Sequence, residues 1–337
     1  MSATINLEKK HFPVLLNELI SILSPLYGGT FIDCTFGQGH YSKKILEFKE
    51  NKIIALDRDK DVHPKSKLLK EKFKNRFQFY NIKFSQIKNL NLDTSYLKGI
   101  IFDLGYSTIQ INDPKKGLSF KNKSKLNMKM GINDFSAHEV IHNLGFDEIN
   151  KIIKYFGDEA KSKLISRKIV NLRKTNNINT EQLVKIIDSI KRKNPKKINN
   201  ATKTFQALRI FVNKEISELI YGLINSYKIL PVGGIIAVVT FHSLEDKIVK
   251  FFFKNYSEIQ NKSRYLPKVK DQKILFKLKS KKPIYPSEEE VQMNSPSRSA
   301  KLRYGIKLSH NSDFDDFIKK FQYLLDIENM SEKIWKK

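Results

Sequence analysis

The stretch FIDCTFGQGH, residues 31–40, decides the fold of this chain together with IIALDRD at residues 53–59. An apolar strand, a glycine turn, a helix and a second strand ending in an acid form the pattern of a nucleotide-binding α/β unit. Gly37 and Gly39 allow the backbone to approach a ligand closely. Asp57, at the end of the second strand, can accept both hydroxyls of a ribose. The pattern therefore predicts a site for an adenosine-containing ligand.

The residues after the glycines distinguish two classes of adenosine ligand. A dinucleotide fingerprint requires glycine or alanine at position 42, but this chain has Ser42 after His40 and Tyr41. S-adenosylmethionine has no phosphate, and its cationic groups favour carboxylates, carbonyls and aromatic faces. Asp33, at the start of the loop, would supply one such carboxylate. The loop favours S-adenosylmethionine and leaves a nicotinamide-dependent oxidoreductase as the alternative.

The charge of the chain points to a polyanionic partner. Its 337 residues include 62 Lys and Arg against 35 Asp and Glu, which gives a formal net charge of +27. Such an excess attracts nucleic acid above all. A biased genome composition would produce the same excess as a solvated basic surface, so charge alone names no substrate.

A single cysteine, Cys34, limits both the chemistry and the compartment. One thiol excludes a disulfide framework and is typical of the reducing cytoplasm. Methylation at carbon 5 of a pyrimidine commonly uses a thiolate, but Cys34 lies inside a predicted strand, where a packed thiol is expected. An exocyclic nitrogen or a hydroxyl is therefore the expected acceptor. No apolar run approaches about 18 residues, and residues 1–10 do not resemble a signal or transit peptide, so we expect a cytoplasmic protein with no membrane partner.

Two further apolar runs, GIIFDLG at residues 99–105 and GGIIAVVTFHS at residues 233–243, are typical of buried parallel strands. Strands that alternate with helices predict an open, doubly wound α/β sheet, which binds ligands at the carboxyl ends of its strands. Four polar residues fall at such ends: Asp33, Asp57, Asp103 and His242. A cleft at this edge of the sheet explains them better than four unrelated turns or caps.

Residues 113–200 interrupt the strand pattern with a polar loop and then apolar residues at helical spacing. One of the helices is expected to start at Thr180 as its N-cap. We expect an inserted helical domain at residues 113–200 that recognises the substrate. The sheet domain would be discontinuous, with residues 1–112 and 201–310, and residues 311–337 would form a C-terminal helical tail.

After this insertion, residues 205–223 carry an apolar stripe that predicts a helix packed on the sheet. Gln206, Arg209 and Asn213 form a second, polar stripe at the same spacing. The polar stripe leads towards the strand that carries His242. It either presents donors and acceptors to a substrate or is simply a solvated face.

Seven ordered blocks carry a family resemblance. They are HFPVLL (11–16), the loop at 33–40, LDRD (56–59), FDLG (102–105), TFQALRI with VN (204–213), FHSLED (241–246) and SRSAKLR (297–303). Through them the chain resembles the bacterial 16S ribosomal RNA cytosine-N4 methyltransferases over nearly its whole length. The resemblance implies a class I S-adenosylmethionine-dependent methyltransferase fold, Rossmann-like, with an inserted helical domain. It also implies a decoding-centre cytidine of the small ribosomal subunit as substrate.

The resemblance further implies where the ligands bind. Cofactor contacts fall on Gly39, His40, Tyr41, Asp57, Phe84, Asp103 and Gln110, to which the loop pattern adds Asp33 and Gly37. Phe84 can wall the adenine, and Asp103 lies near the expected sulfonium position. The expected RNA contacts are Gln206, Arg209, Asn213 and Arg298. No metal site is expected, and the sequence leaves the oligomeric state open, a homodimer included.

The chain departs from the family pattern in three places. Residues 39–41 read Gly-His-Tyr where Gly-Gly-His is usual, and residues 106–109 read Tyr-Ser-Thr-Ile where Val-Ser-Ser-Pro is common. Residues 126–131 read LNMKMG where LDMRMD is usual, so both acids are missing and a lysine replaces an arginine. Lysine lacks the planar fork of arginine. A non-catalytic RNA-binding relative of the same fold is therefore a second hypothesis.

The expected reaction is in-line methyl transfer to the exocyclic amine of an extruded cytidine. Because the lone pair of that amine is delocalised into the ring, orientation and hydrogen-bond acceptors matter more than a strong base. The candidate acceptors are Asn213, Ser243, His242 and the backbone carbonyls after Asp103. An unpaired or distorted RNA is the expected substrate, because extruding a base then costs least.

Overall fold

The computed structural model describes residues 13–24, 26, 28–106, 110–111, 113–120, 123–191, 199–257 and 274–335. Its strands are β1 (Gly29–Asp33), β2 (Asn51–Leu56), β3 (Phe77–Tyr80), β4 (Leu97–Asp103), β5 (Ile235–Thr240), β6 (Phe276–Lys277) and β7 (Lys301–Lys307). Its α-helices are α1 (Leu16–Leu23), α2 (His40–Leu46), α3 (His63–Phe73), α4 (Ala137–Asn143), α5 (Phe146–Gly157), α6 (Ser162–Leu172), α7 (Thr180–Asp188), α8 (Thr202–Asn213), α9 (Glu215–Ile229), α10 (Ser243–Asn255), α11 (Glu288–Met293) and α12 (Asp315–Asn329). Short 3₁₀ turns cover Lys60–Val62, Lys74–Arg76, Phe84–Asn89, Ser295–Ser299 and Met330–Ile334.

The strands form one seven-stranded sheet in the order β3-β2-β1-β4-β5-β7-β6. Strands β1 to β5 run parallel, and β7 is antiparallel to both of its neighbours. The predicted open α/β sheet of the Rossmann-like class is confirmed. The strand order reverses between β1 and β4, so the connections after these two strands diverge and open a crevice at their carboxyl ends.

Side chains of the central strands alternate between two apolar cores. On one side, Ile32, Ile100 and Phe102 join the core that includes α9 and α10. On the other side, Phe31 and Ile101 join the core that includes α1 and α2. A parallel sheet covered on both faces has strands that are apolar throughout, which is why these strands were recognisable in the sequence.

Helices α4 to α7 lie between β4 and α8 along the chain, within the predicted insertion. Helix α5 packs against both α6 and α8. Capping boxes begin two of these helices, with Ser136 and Glu139 at α4 and with Asn179 and Gln182 at α7. Thr180 is thus the first helical residue of α7 and not its cap. The division of the chain into domains stays a prediction.

Helix α12 lies beyond β7 and packs through aromatic side chains. Phe317 and Phe321 are buried and contact Phe251 of α10 with ring centroids 6.1 and 5.5 Å apart. The predicted tail at residues 311–337 contains this helix. Among the residues that the structure describes, no helix combines the length and the apolarity needed to cross a membrane.

Candidate active site

A cavity of about 190 Å³ opens at the carboxyl ends of β1, β2 and β4. It contains most of the cofactor-binding residues predicted from the sequence: Gly37, His40, Tyr41, Asp57, Phe84, Asp103 and Gln110 all line it. Their backbones come from distant segments, which the parallel strands bring to one edge of the sheet. The predicted residues Asp33 and Gly39 belong to the same loop but are not among the lining residues.

Asp57 joins the end of β2 to the glycine loop. Its Oδ2 atom accepts the backbone N–H of Gly37 at 2.8 Å, and its Oδ1 atom accepts the backbone N–H of Asp59 at 2.8 Å. Burial raises the pKa of Asp57 to about 6, although these two hydrogen bonds lower it. Each oxygen retains lone pairs, so the carboxylate is positioned to accept further hydrogen bonds from a ligand in the cavity.

Asp103, at the end of β4, contributes a second carboxylate to the cavity. Its backbone N–H donates to the Thr35 hydroxyl at 2.6 Å. Its Oδ1 atom is buried and has no hydrogen-bond partner among the described residues. Burial, together with the nearby charge of Asp33, raises the pKa of Asp103 well above its usual range. A buried carboxylate oxygen without a partner suits a cationic ligand group.

Asp33 lies beneath the loop and does not reach the cavity, contrary to the expectation that it supplies an acid to the ligand. The side chain is fully buried. Its two oxygens accept the backbone N–H of Thr35 at 3.2 Å and the hydroxyl of Ser42 at 2.7 Å. Both atoms therefore hold the loop and the first turn of α2, and burial raises the pKa of Asp33 to about 6.

Gly39 also acts on the loop itself. It is the N-cap residue of α2 and has a φ of +73°. A Cβ atom at this position would stand 2.7 Å from the ring of Phe36. The glycine therefore allows the loop to pack closely on Phe36, a role that needs no direct contact with a ligand.

The aromatic wall of the cavity is fixed by contacts behind it. The ring of Phe84 packs edge-on against Phe102 with centroids 5.3 Å apart. The next residue, Ser85, donates its hydroxyl to Glu218 of α9 at 2.9 Å and its backbone N–H to the same carboxylate at 3.3 Å. The position of Phe84 is therefore coupled to the first turn of α9.

Tyr106, Arg209 and Glu215 form a charged group beside the cavity. The Nε and Nη2 atoms of Arg209 each lie 3.0 Å from the Glu215 carboxylate. The guanidinium stacks over the Tyr106 ring at 4.2 Å, and the Tyr106 hydroxyl donates to Glu215. Arg209, expected to face RNA, instead pairs with Glu215. Of the residues in the 106–109 departure, only Tyr106 is among the described residues.

His242 caps α10 and does not line the cavity. Its Nδ1 atom accepts the backbone N–H of Glu245 at 3.3 Å, and Glu245 in turn accepts the backbone N–H of Phe241 at 2.9 Å. Burial alone would raise the pKa of Glu245, but His242 and these donors hold it below its usual range. Ser243 is exposed at the first helical position. Neither His242 nor Ser243, the two candidate acceptors, is among the residues that line the cavity, whereas Glu245 is.

Ligand atoms of Glu215, His242 and Glu245 lie within 4.8 Å of one another, the separation of a cation site. The Arg209 guanidinium already balances the Glu215 charge. A cation there would have to compete with that ion pair.

Asn213 is fully buried, and both ends of its side-chain amide are engaged. Its oxygen accepts the backbone N–H of Met130 at 2.9 Å and the amide of Asn133 at 2.6 Å. Its nitrogen donates to the carbonyls of Met128 at 2.9 Å and Arg209 at 2.8 Å. Asn213 therefore anchors the 128–133 loop to α8, which corrects the expectation that it accepts hydrogen bonds from a substrate.

The other two expected RNA contacts differ in their exposure, since Gln206 is half-buried and Arg298 is exposed. Gln206 donates to the carbonyl of Phe156 at 3.3 Å, so it joins α8 to α5. Arg298 is exposed and donates to the Ser295 hydroxyl at 3.1 Å. Pro296, which lines the cavity, precedes Arg298 by two residues.

The departure at residues 126–131 has a local structural cause at its last position. Gly131 has a φ of +64°, and a Cβ atom there would stand 1.8 Å from the carbonyl oxygen of Arg58. The Arg58 guanidinium also donates to the carbonyl of Asn213 at 2.7 Å. Close packing between these two backbone segments therefore leaves no room for the acid that the family pattern would place at residue 131.

A model of the MraW methylase family matches residues 8–308. The chain belongs to this family. The family resemblance predicted from the sequence blocks is thus confirmed, and membership of a methylase family confirms S-adenosylmethionine as the cofactor in place of a nicotinamide dinucleotide.

Curated relatives match the chain along nearly all of their length. Ribosomal RNA small subunit methyltransferase H of Rickettsia bellii (strain OSU 85-389) is 39% identical over 309 residues, which cover 90% of this chain and 100% of the relative. The protein of the same name from Wolbachia sp. subsp. Drosophila simulans is 42% identical over 304 residues, covering 89% and 99%.

Solved structures give more distant matches. An rRNA methylase from Streptococcus thermophilus aligns with a TM-score of 0.37 at 11% identity, covering 88% of this chain and 99% of that one. A Streptococcus mutans protein solved in complex with SAH aligns with a TM-score of 0.38 at 14% identity and the same coverage.

Sequence reasoning missed the three glutamates of the cavity wall, Glu215, Glu218 and Glu245. Two of them were within reach of the motifs used. Glu215 follows Asn213 by two residues, and Glu245 is part of the FHSLED block. Neither the spacing nor the residue type indicated which face of its helix turns towards the cavity.

Proposed function

We propose that this chain transfers the methyl group of S-adenosylmethionine to the exocyclic N4 amine of a decoding-centre cytidine in 16S ribosomal RNA. The observation that carries the proposal is the cavity shared by Asp57 and Asp103, in which one buried carboxylate oxygen has no partner among the described residues. The names of the curated relatives support the RNA of the small ribosomal subunit as substrate.

The residues at the strand ends suit the parts of the cofactor. Asp57 can accept the ribose hydroxyls, because its backbone donors hold both oxygens in a fixed orientation. Phe84 can wall the adenine. The free oxygen of Asp103 can face the cationic methionine portion. When bound, S-adenosylmethionine supplies an electrophilic methyl group.

The acceptor amine is a weak nucleophile, so the protein must orient it. The carboxylates of Glu215 and Glu245 line the cavity together with Asp103. We infer that the carboxylates of Glu215 and Glu245 accept hydrogen bonds from the amine as its lone pair turns towards the methyl group. They take the place of the candidates Asn213, Ser243 and His242. Fixed acceptors in a water-poor site contribute through orientation and electrostatics.

The RNA backbone would be held by the basic surface. A net charge of +27 favours association with a polyanion. Arg298 is exposed, lies two residues along the chain from the cavity-lining Pro296, and is the expected RNA contact with an exposed side chain. Extruding one base from an unpaired segment costs a few kcal/mol at most.

The test is nucleoside mass spectrometry of small-subunit RNA incubated with this chain and isotope-labelled S-adenosylmethionine. We expect labelled N4-methylcytidine, which Asp103→Asn should abolish. Asp93→Asn is the matched control, because Asp93 is an exposed acid outside the cavity. Label on another nucleoside would contradict the N4 assignment. Bound RNA and cofactor without any transfer would favour the non-catalytic relative.

A further inference from the structure

Helix α9 begins without a cap from its own sequence. Its N-cap residue, Lys214, has a φ of +49°, and within the described residues its side chain makes no capping hydrogen bond. The backbone N–H groups at the second and third helical positions, Ile216 and Ser217, therefore need another acceptor. This helix end matters because Glu215 and Glu218, in the same turn, line the cavity.

Glu328, near the end of α12, provides the acceptor. Its Oε1 atom accepts the backbone N–H of Ile216 at 2.8 Å, and its Oε2 atom accepts that of Ser217 at 2.9 Å. The side chain is 1% exposed. A carboxylate at this position also interacts favourably with the positive end of the helix dipole. One acid, more than a hundred residues away in sequence, thus takes the place of a local cap.

The capping residue lies outside the part of the chain that matches the family. The family model ends at residue 308. The relatives described above align over 99–100% of their own length with only 89–90% of this chain. Helix α12 is therefore additional to the matched region, yet it contacts the matched region beside the cofactor cavity.

The same segment also reaches the helices of the insertion. Lys333 pairs with Glu148 of α5 at 2.7 Å. The amide of Asn143, in α4, donates to the carbonyl of Ile334 at 3.3 Å. Together with the aromatic contacts to α10, these bonds connect residues 315–335 to the insertion, to the sheet-covering helices and to the first turn of α9.

We propose that residues 315–335 hold the first turn of α9 in place from outside the cavity and that Glu328 is a positioning residue for cofactor binding. Its bonds fix the first turn of α9. That turn holds Glu215 against Arg209 and Tyr106, and it holds Glu218 against Ser85. Since Phe84 precedes Ser85, release of the turn would shift the aromatic wall of the cavity. The proposal depends on the cofactor alone and not on which RNA base accepts the methyl group.

The test compares S-adenosylmethionine affinity by calorimetry in variants of the full chain, at a temperature where each is folded by circular dichroism. We expect Glu328→Ala to weaken binding about tenfold. Glu328→Gln should recover part of the loss, because its amide oxygen can still accept a hydrogen bond. Asp326→Asn, an exposed acid on the same helix, should bind as tightly as the unmodified chain.

A purely structural role for Glu328 makes a different prediction. Phe321→Leu weakens the packing of α12 on α10 and leaves Glu328 itself unchanged, so it serves as a stability control. If Glu328→Ala lowers the unfolding temperature but leaves cofactor affinity unchanged, the positioning role is wrong. It is equally wrong if Phe321→Leu reduces affinity as much as Glu328→Ala does. Should the alanine variant fail to fold, Glu328→Gln decides the question by the same comparison.

Discussion

The carboxylate of Asp57 accepts the backbone N–H of Gly37 at 2.8 Å, which joins the end of β2 to the loop after β1. Residues that the sequence separates by twenty positions thus form one wall of the cavity. The backbone N–H of Asp59 donates to the other oxygen of the same carboxylate. Ribose hydroxyls would then meet an acid whose orientation is set before they bind, so the cost of ordering it at binding is small.

Cofactor affinity should depend on pH through Asp57. Burial raises the pKa of this carboxyl to about 6, and protonation removes the charged acceptor of the ribose hydroxyls. Protonation of Asp57 should therefore lower the affinity as the pH falls through about 6, by up to about tenfold per pH unit. Calorimetry between about pH 5 and about pH 7 measures this. Asp57→Asn should reduce this pH dependence, whereas an unchanged affinity of the unmodified chain across this range would contradict the role of Asp57.

Asp33→Asn is the matched control for this pH profile. Burial also raises the pKa of Asp33 to about 6, but among the described residues Asp33 bonds only to the loop backbone and to Ser42. The variant should retain the pH dependence of cofactor affinity. If cofactor affinity no longer depended on pH in Asp33→Asn, the pH dependence would arise from the loop that Asp33 holds and not from Asp57.

Arg209→Ala should destabilise the fold and impair RNA methylation more than cofactor binding. The Arg209 and Glu215 side chains are only 19% and 14% exposed, and removing one partner of a largely buried ion pair costs about 3 kcal/mol. Arg209→Lys keeps the charge but loses the bidentate fork and the stacking on Tyr106, so its effect should be intermediate. Denaturant unfolding and methyl-transfer assays measure both effects. If Arg209→Ala reduced cofactor affinity more than methyl transfer, the Arg209–Glu215 pair would act in cofactor binding and not in methylation of the RNA.

Gly131→Asp, which restores the acid of the family pattern, should destabilise this chain by about 2 kcal/mol or more through backbone strain and a clash with Arg58. The control is Lys129→Arg, which restores the arginine of the family pattern at a position whose ammonium makes a long contact to the carbonyl of Asp134. It should change the free energy of unfolding by less than about 0.5 kcal/mol. Equal stability of Gly131→Asp and the unmodified chain, by denaturant unfolding, would show that the loop accommodates a side chain.

The sequence predicts the centre of the sheet better than its surroundings. Strands β1, β2, β4 and β5 are recognisable because parallel strands covered on both faces are apolar throughout. Asp57 and Asp103 follow from the same reasoning, since strand ends meet at one edge of the sheet. Strand β7 begins in a block that was recognised only as a family motif, because its burial does not alternate regularly and its antiparallel pairing to β5 is non-local.

The helices were predictable in position but not in orientation. The polar stripe of α8 contains Arg209 and Asn213, yet spacing cannot indicate that Asn213 faces the 128–133 loop and Arg209 faces Glu215. The cap that Glu328 provides for α9 is even less accessible to sequence reasoning. It depends on the packing of two helices that are separated along the chain by strands β5, β6 and β7.

The most direct measurement of the central claim is calorimetric titration of S-adenosylmethionine into the unmodified chain and into Asp57→Ala. We predict binding at a single site, weakened in the variant by about 1 to 3 kcal/mol through the loss of charged hydrogen bonds. Circular dichroism would verify that the variant is folded. An affinity equal to that of the unmodified chain would contradict the assignment of this cavity to the cofactor.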